Sequence, residues 1–415
     1  MSAAEDTSPT RVRRTFAAEA IRAICTGVLE TALATFAILI AVKEFESSAT
    51  FKSVILASPA IGLLGGLLGV SLLARSRVRV SAAAGAIGLI STFGFLIAAI
   101  GAESEHCFLI GMTVGNGLLT MGMPMQTHYL RHNYPTRRRG RLFSLSVLIR
   151  ALTCMLTSWV FGSYLDQDFD RYSTLLWLFV LVAALASVCQ FSVPSRPLRS
   201  DGEVPHRFFD SLHLAKQDPV FLKLLLASMV LGVGILSAMA LRVDYLANPI
   251  YGLDMDVKTV SLITGIVPSV VRLVSTFFWG WLFDRINFFH VRVAVNLVFL
   301  AGLYLYFRFP DPVLILIGSA LFGLGRGGGE IFFNLFVTKL AKPDHVADYM
   351  SVHTFLAGVR SLFAPFLGFL VVQQAGIGTL VVMCMSLVII SLIVVGLAWR
   401  QSRLLESKAA AATRQ

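Results

Sequence analysis

Apolar runs of about 20 residues recur along the whole chain, each long enough to cross roughly 30 Å of hydrocarbon as a helix. No other feature restricts the fold so strongly. Taken with the turn signals between them, the runs give twelve spans, at 16–42, 51–74, 80–101, 107–130, 142–164, 172–193, 220–247, 258–283, 291–308, 312–339, 349–373 and 377–399. Charge content agrees. Only 14% of the 415 residues are charged, against about a quarter in soluble proteins, so a water-facing surface of ordinary size cannot be built and a soluble enzyme is disfavoured. The expected fold class is an all-α, multi-pass membrane protein. The first span carries Glu19, Arg22 and Glu30 and lacks a small-residue cleavage site, so it reads as a retained span rather than a signal peptide.

Orientation follows from Lys and Arg, which favour the cytoplasmic side of short loops. With the N-terminus inside, the inner segments hold 23 of the 35 basic residues and the outer loops five, Lys43, Lys52, Arg171, Lys258 and Arg308. Both termini are therefore expected in the cytoplasm, across a bacterial-type inner membrane. The net charge of +11 is a matter of membrane topology and implies no nucleic-acid partner. Cys25, Cys107, Cys154, Cys189 and Cys384 lie singly, with neither disulfide nor zinc spacing, and no metal or redox cofactor is expected.

The longest connection lies between the sixth and seventh spans. It divides the chain into a tail (1–15), a first six-helix bundle (16–193), a central cytoplasmic loop (194–219), a second bundle (220–399) and a second tail (400–415). Within the loop, the stretch from His206 to Gln217 sets Phe208, Phe209 and Leu212 among charges, as a helix lying on the membrane surface would, although a solvated linker fits equally. Residues offset by half the chain match in order: Leu109-Ile110-Gly111 with Leu316-Ile317-Gly318, and Ser144 with Ser351. The pattern predicts duplication of a six-span unit.

The chain resembles the major facilitator superfamily, most sharply at Gly280-Trp281-Leu282-Phe283-Asp284-Arg285 followed by Arg292, which is similar to that family's Gly-x-x-x-Asp-Arg loop signature. The resemblance implies twelve helices in two six-helix bundles related by a pseudo-two-fold axis, with no catalytic residues. It also implies that Asp284 and Arg285 are gating residues that latch the bundles when the cytoplasmic side is closed. The equivalent loop of the first half, Gly69 to Arg77, has no acid, and Thr113 stands where the family has an Arg on the fourth helix. Motifs of proton antiport are absent.

Ionisable groups at bilayer depth are costly unless they face protein or a water-filled cavity. They occur on spans one (Arg22, Glu30), five (Arg150), seven (Arg242, Asp244), eight (Arg272), ten (Arg326, Glu330) and eleven (Arg360), while spans three, six, nine and twelve read as blank. That spacing predicts lipid-facing helices at every third position. At about 1.5 Å per residue, Arg150, Arg272, Arg326 and Arg360 fall near the midplane, against the two deep carboxylates Glu30 and Glu330. Guanidinium forks grip carboxylate, phosphate or sulfonate in paired hydrogen bonds, so the expected cargo is a small anion. The alternatives are an exporter of amphipathic drugs or lipids, and a non-transporting receptor or scaffold; the expected oligomeric state is a monomer.

Span ten is densest, with Gly325-Arg326-Gly327-Gly328-Gly329-Glu330 and then Asn334. Arg326 and Glu330, four apart, share a helix face and are expected to pair, with Asn334 extending the ligand face. An anion that draws Arg326 away would favour protonation of Glu330, a route to proton symport for which Glu30 is the rival site. His353, two turns before Arg360, lies along the inner path or, the more frequent case, is a buried or cytoplasmic-end surface histidine; Asp244 and Tyr245 are placed near an outer gate, although Asn248-Pro249 also reads simply as a helix end, and Arg22 is within reach of the inner interface. Gly62, Gly65, Gly66 and Gly69 give overlapping Gly-x-x-x-Gly pairs, expected to pack helices across the bundle interface.

Overall fold

In a bilayer every backbone polar group must be paired within its own segment, which leaves the helix as the local solution for these apolar runs. The computed structural model describes residues 8–73, 76–197, 217–341 and 346–412, and among them no strand forms beyond one isolated bridge between Arg79 and Pro197. The stretch from His206 to Asp210 and on to Lys216 lies outside the described residues, as does Arg75.

Among the described residues, twelve long helices follow the apolar runs. They are α1 (Pro9–Lys43), α2 (Ala49–Leu73), α3 (Val80–Ile100), α4 (Glu105–Asn133), α5 (Thr136–Gln167), α6 (Tyr172–Ser192), α7 (Pro219–Ala247), α8 (Val257–Arg285), α9 (Phe288–Arg308), α10 (Pro312–Leu340), α11 (346–375) and α12 (377–412). Caps mark the starts. The Asp311 carboxylate accepts from the amides of Val313 and Leu314, with Pro312 in the first turn, and Asn287 accepts from Phe289. α11 and α12 are parted only by Gly376, at φ 78° and ψ 171°, a conformation open to glycine. Two helices contain a π-turn, Ala32–Phe36 in α1 and Leu262–Ile266 in α8, where the extra residue per turn re-aims the side chains that follow.

The described contacts fall into two units, one of Met1–Pro205 with Val243–Ile266, the other of His206–Arg242 with Val267–Gln415. In the first, α1 packs on α5 and α6, α2 on α4, and α3 on α4 and α6. The Ser91 hydroxyl donates to the Gly115 carbonyl (2.6 Å) and Thr31 to the Cys154 carbonyl (3.3 Å). The C-terminal end of α7 and the start of α8 belong to this unit, where the Thr35 and Thr264 hydroxyls, one from each π-turn, meet at 3.1 Å. In the second unit α10 packs on α8 and α9, while α7 meets α11 through Ser237 to the Ala364 carbonyl and α12 through Ser391 to the Ala227 carbonyl, both 2.8 Å. The α2/α4 and α3/α4 pairings of the first unit thus recur as α8/α10 and α9/α10.

The small residues of α2 correct one expectation. Gly62 lies so close to the Gly117 carbonyl and the Thr120 hydroxyl that an added methyl would overlap both, and Gly66 faces the Met121 carbonyl and Pro124. They join α2 to α4 inside one unit and not across the bundle interface, because the closest backbone approach is the one only hydrogen permits.

Candidate functional site

Each unit carries a cavity of its own. In the first, a cavity of about 370 Å³ lies among α1, α2, α4, α5 and α6 and takes in Glu19, Arg22, Glu30, Gln126 and Arg150. Glu19 and Arg22, three apart on α1, form a two-point pair at 2.8 and 2.6 Å, and Gln126 of α4 donates to the same carboxylate at 2.7 Å. Glu19 is 2% exposed, so Arg22 turns inward to its acid instead of reaching the interface. Deeper along α1, Glu30 stands 3.6 Å from Arg150 of α5, both side chains about a third exposed to the cavity. Every arginine lining this cavity therefore faces a carboxylate.

The second cavity, about 260 Å³, is different in kind. Arg292, Arg326, Arg360, Glu330 and His353 line it together with Ser228. Three guanidinium groups thus share a wall with one carboxylate, and that carboxylate is also engaged by Arg272 of α8 at 3.3 Å. The structure brings Arg272, Arg326, Arg360, Glu330 and His353 into one neighbourhood and places Arg150 and Glu30 in the other unit. Glu330 receives a cation from a second helix, a contact that spacing along α10 alone does not reveal. The side chain of Asn334 lies outside the described residues.

Arg292 and Arg360 converge on Ser228 of α7. Arg292 Nη2 donates to the Ser228 hydroxyl at 3.2 Å, Arg360 Nη1 donates to the Ser228 carbonyl, and the Arg292 guanidinium stacks 4.5 Å above the Phe332 ring. A side chain at Gly232 would occupy the space of the Arg360 guanidinium. His353 is 1% exposed, with its ring 4.4 Å from Phe333 and 4.9 Å from Phe336.

Near the C-terminal end of α7, Asp244 binds Lys52 of α2 at 2.5 Å and accepts from Tyr251 (3.1 Å) and Asn248 (3.4 Å). Burial, reinforced by the Asp244 charge and hydrogen bond, raises the Tyr251 phenol above its ordinary value, so it remains the donor. Tyr245 rests against Tyr251 at 5.6 Å between ring centres. Asp284 and Arg285 end α8, both exposed; Arg285 lies over Trp281 at 4.7 Å, and Asp284 makes no hydrogen bond among the described residues.

Two residues escape the sequence reading. Arg292, assigned there to the loop signature, stands inside α9 and is 5% exposed, which corrects the blank reading of the ninth span. The signal was present in Asn287, whose cap starts the helix shortly before it. Lys52, counted as an outer-loop cation, is a buried residue of the first turn of α2. Its partner, Asp244, belongs to a helix in the other half of the sequence, and no local pattern links the two.

A model of the Major Facilitator Superfamily matches residues 20–365 and 243–414. Among solved structures, the nucleoside transporter NupG superposes with a TM-score of 0.73 at 12% identity, covering 94% of this chain and 98% of that one. A bacterial homolog of the human lysosomal transporter Spinster gives 0.68 at 14%, covering 96% and 97%. The D-xylose-proton symporter gives 0.62 at 14%, covering 94% and 96%. At these identities the likeness is one of fold. No curated protein matches the sequence.

Proposed function

The chain belongs to the Major Facilitator Superfamily and is a multi-pass transporter rather than an enzyme, and on that premise we propose that it moves a small anionic solute by alternating access, coupled to protons. The observation that carries the reading is the imbalance in the second cavity, where Arg292, Arg326 and Arg360 stand against Glu330 alone among the charged lining residues. Uncompensated charge at bilayer depth is expensive, and a bound anion removes the excess. The first cavity offers no such surplus, since Arg22 and Arg150 each meet a carboxylate.

Glu330 and Glu30 are the proton sites of this reading. Glu330 is held by Arg272. An anion that draws cations from Glu330 leaves a carboxylate that a proton can neutralise, so substrate and proton bind together. The Lys and Arg bias supports cytoplasmic termini; the family resemblance supports bundles at 16–193 and 220–399, with Asp284 and Arg285 gating the cytoplasmic side of a bacterial-type inner membrane.

The test is uptake into proteoliposomes holding the purified protein, with and without an inward pH gradient. Accumulation of a carboxylate, phosphate or sulfonate that collapses with the gradient is the expected result. Transport of neutral or cationic solutes with no competition by any anion overturns the anion reading.

A further inference from the structure

The wall of the second cavity has a division of labour that the charge count alone does not express. Arg292 from α9 and Arg360 from α11 fasten to the two ends of one residue, the Ser228 hydroxyl and the Ser228 carbonyl. No carboxylate is bonded to either guanidinium among the described residues. Arg292 Nε, Arg360 Nε and both ring nitrogens of His353 are buried without a hydrogen-bond partner among the described residues. Buried donors left unmatched are costly. Two like charges gathered on one serine are costly as well, and a single oxyanion spanning both forks answers both demands.

Apart from these residues, Arg326 and Glu330, the lining is apolar. Leu231, Ile235, Leu236, Phe299 and Phe333 face the same space. The volume of about 260 Å³ corresponds to about nine water molecules at ~30 Å³ each. That space accommodates a carboxylate carrying one six-membered ring. An inorganic anion would satisfy the arginines but leave the leucine, isoleucine and phenylalanine surface wet.

We propose that Arg292 and Arg360, joined at Ser228, form the headgroup clamp for a compact organic carboxylate whose apolar ring lies against Phe299 and Phe333. The proposal rests on the reading of the protein as an anion carrier and narrows it to one subsite and one chemical class. Gly232 is part of the device, since only hydrogen there lets the Arg360 guanidinium lie flat against α7.

The experiment is ligand-dependent melting of the full-length protein in detergent, with benzoate, cyclohexanecarboxylate, acetate, inorganic phosphate and benzamide as probes. A ligand that binds only the folded state raises the melting temperature in proportion to the logarithm of its concentration over Kd. Benzoate and cyclohexanecarboxylate are expected to stabilise, with acetate, phosphate and benzamide at least tenfold weaker. Arg292→Gln and Arg360→Gln are each expected to weaken benzoate at least tenfold; Arg360→Lys, which keeps the charge but loses the fork, is expected to do the same in a protein that folds. Stabilisation by phosphate or acetate equal to that by benzoate overturns the ring-bearing class and leaves the anion reading standing. Benzoate binding that survives Arg360→Lys and Arg292→Gln but is lost in Arg150→Gln overturns the clamp. Stabilisation by benzamide equal to that by benzoate, with no response to any anion beyond it, overturns both readings.

Discussion

Replacing Lys52 with methionine leaves Asp244 buried without its cation. The two residues are 5% and 1% exposed, and their charged atoms are 2.5 Å apart. Removing one partner of a buried pair costs about 3–5 kcal/mol, whereas replacing both with apolar residues of similar volume is often neutral or stabilising. Asp244 retains donors in Tyr251 at 3.1 Å and Asn248 at 3.4 Å, which places the expected cost of Lys52→Met at the lower end, about 3 kcal/mol. Chains of about 150–250 residues lose about 2–4 °C per kcal/mol and longer ones less, so a fall of roughly 5 °C is expected. The double variant Lys52→Met/Asp244→Leu removes both charges and is expected to recover most of that loss. The assay is a fluorescence melt of each purified variant in one detergent at fixed pH. A single variant melting within about 1 °C of the parent, or a double variant melting below the single one, refutes the argument that the two charges depend on each other.

Gly62→Ala drives a methyl into the Gly117 carbonyl and is expected to cost about 1–3 kcal/mol by overpacking, read as a lower melting temperature and lower yield of monodisperse protein. Tyr251→Phe deletes the hydroxyl that donates to Asp244; hydrogen bonds to charged groups contribute about 1.5–3 kcal/mol, and a melt should show a loss of that order, smaller in the Asp244→Leu background. Glu330→Gln is expected to keep counterflow exchange of substrate while losing accumulation driven by a pH gradient, and loss of both indicates a structural role. Asp256 caps α8 by accepting from the Thr259 amide at 2.9 Å, and although burial opposes it, hydrogen bonding from Thr259 holds the carboxyl below its ordinary 3.8. Its contribution is therefore present above that value and lost as pH falls through the folded-state value, so the deficit of Asp256→Ala, about 1 kcal/mol near neutral pH, should shrink in melts below pH 3.8.

The helices were legible because hydrophobic length is a one-dimensional property, and a run such as 172–193 has the same meaning wherever it packs. Several residues lining the second cavity were legible as charged residue types inside the apolar runs. Arg326, Arg360 and Glu330 declared themselves by the cost of their charge, and all three line one cavity. Partnership was not legible, because it depends on which helices meet. Glu330 is bonded by Arg272 from a different helix, α8, and Lys52 of α2 by Asp244 of α7. The π-turns of α1 and α8 were also invisible, since nothing in Ala32–Phe36 or Leu262–Ile266 departs from ordinary apolar helix. They become intelligible only through the hydroxyl contact of Thr35 with Thr264.

The two halves keep one packing scheme and differ in the chemistry hung on it. Gly111 lies against the backbone of Ala98, and Gly318, its match in the second half, lies against that of Tyr306, next to the match of Ala98. On α1 and α5, Gly27 meets the Thr153 side chain, whereas its match on α7, Gly234, lies against Cys384 and Leu387 of α12; Arg360, at the position matched to Thr153, meets Gly232 instead. The position that holds a small hydroxyl side chain in one half thus holds a cation in the other. Conversely, Glu30 and Arg150 have no ionisable counterparts, since Ser237 and Ala357 stand at the matching positions. If the charges served only to hold helices together, duplication of the packing should have carried them along. The contacts of Gly111 and Gly318 repeat while the charges do not: each arginine of the first cavity faces a carboxylate, and three arginines share the second with Glu330.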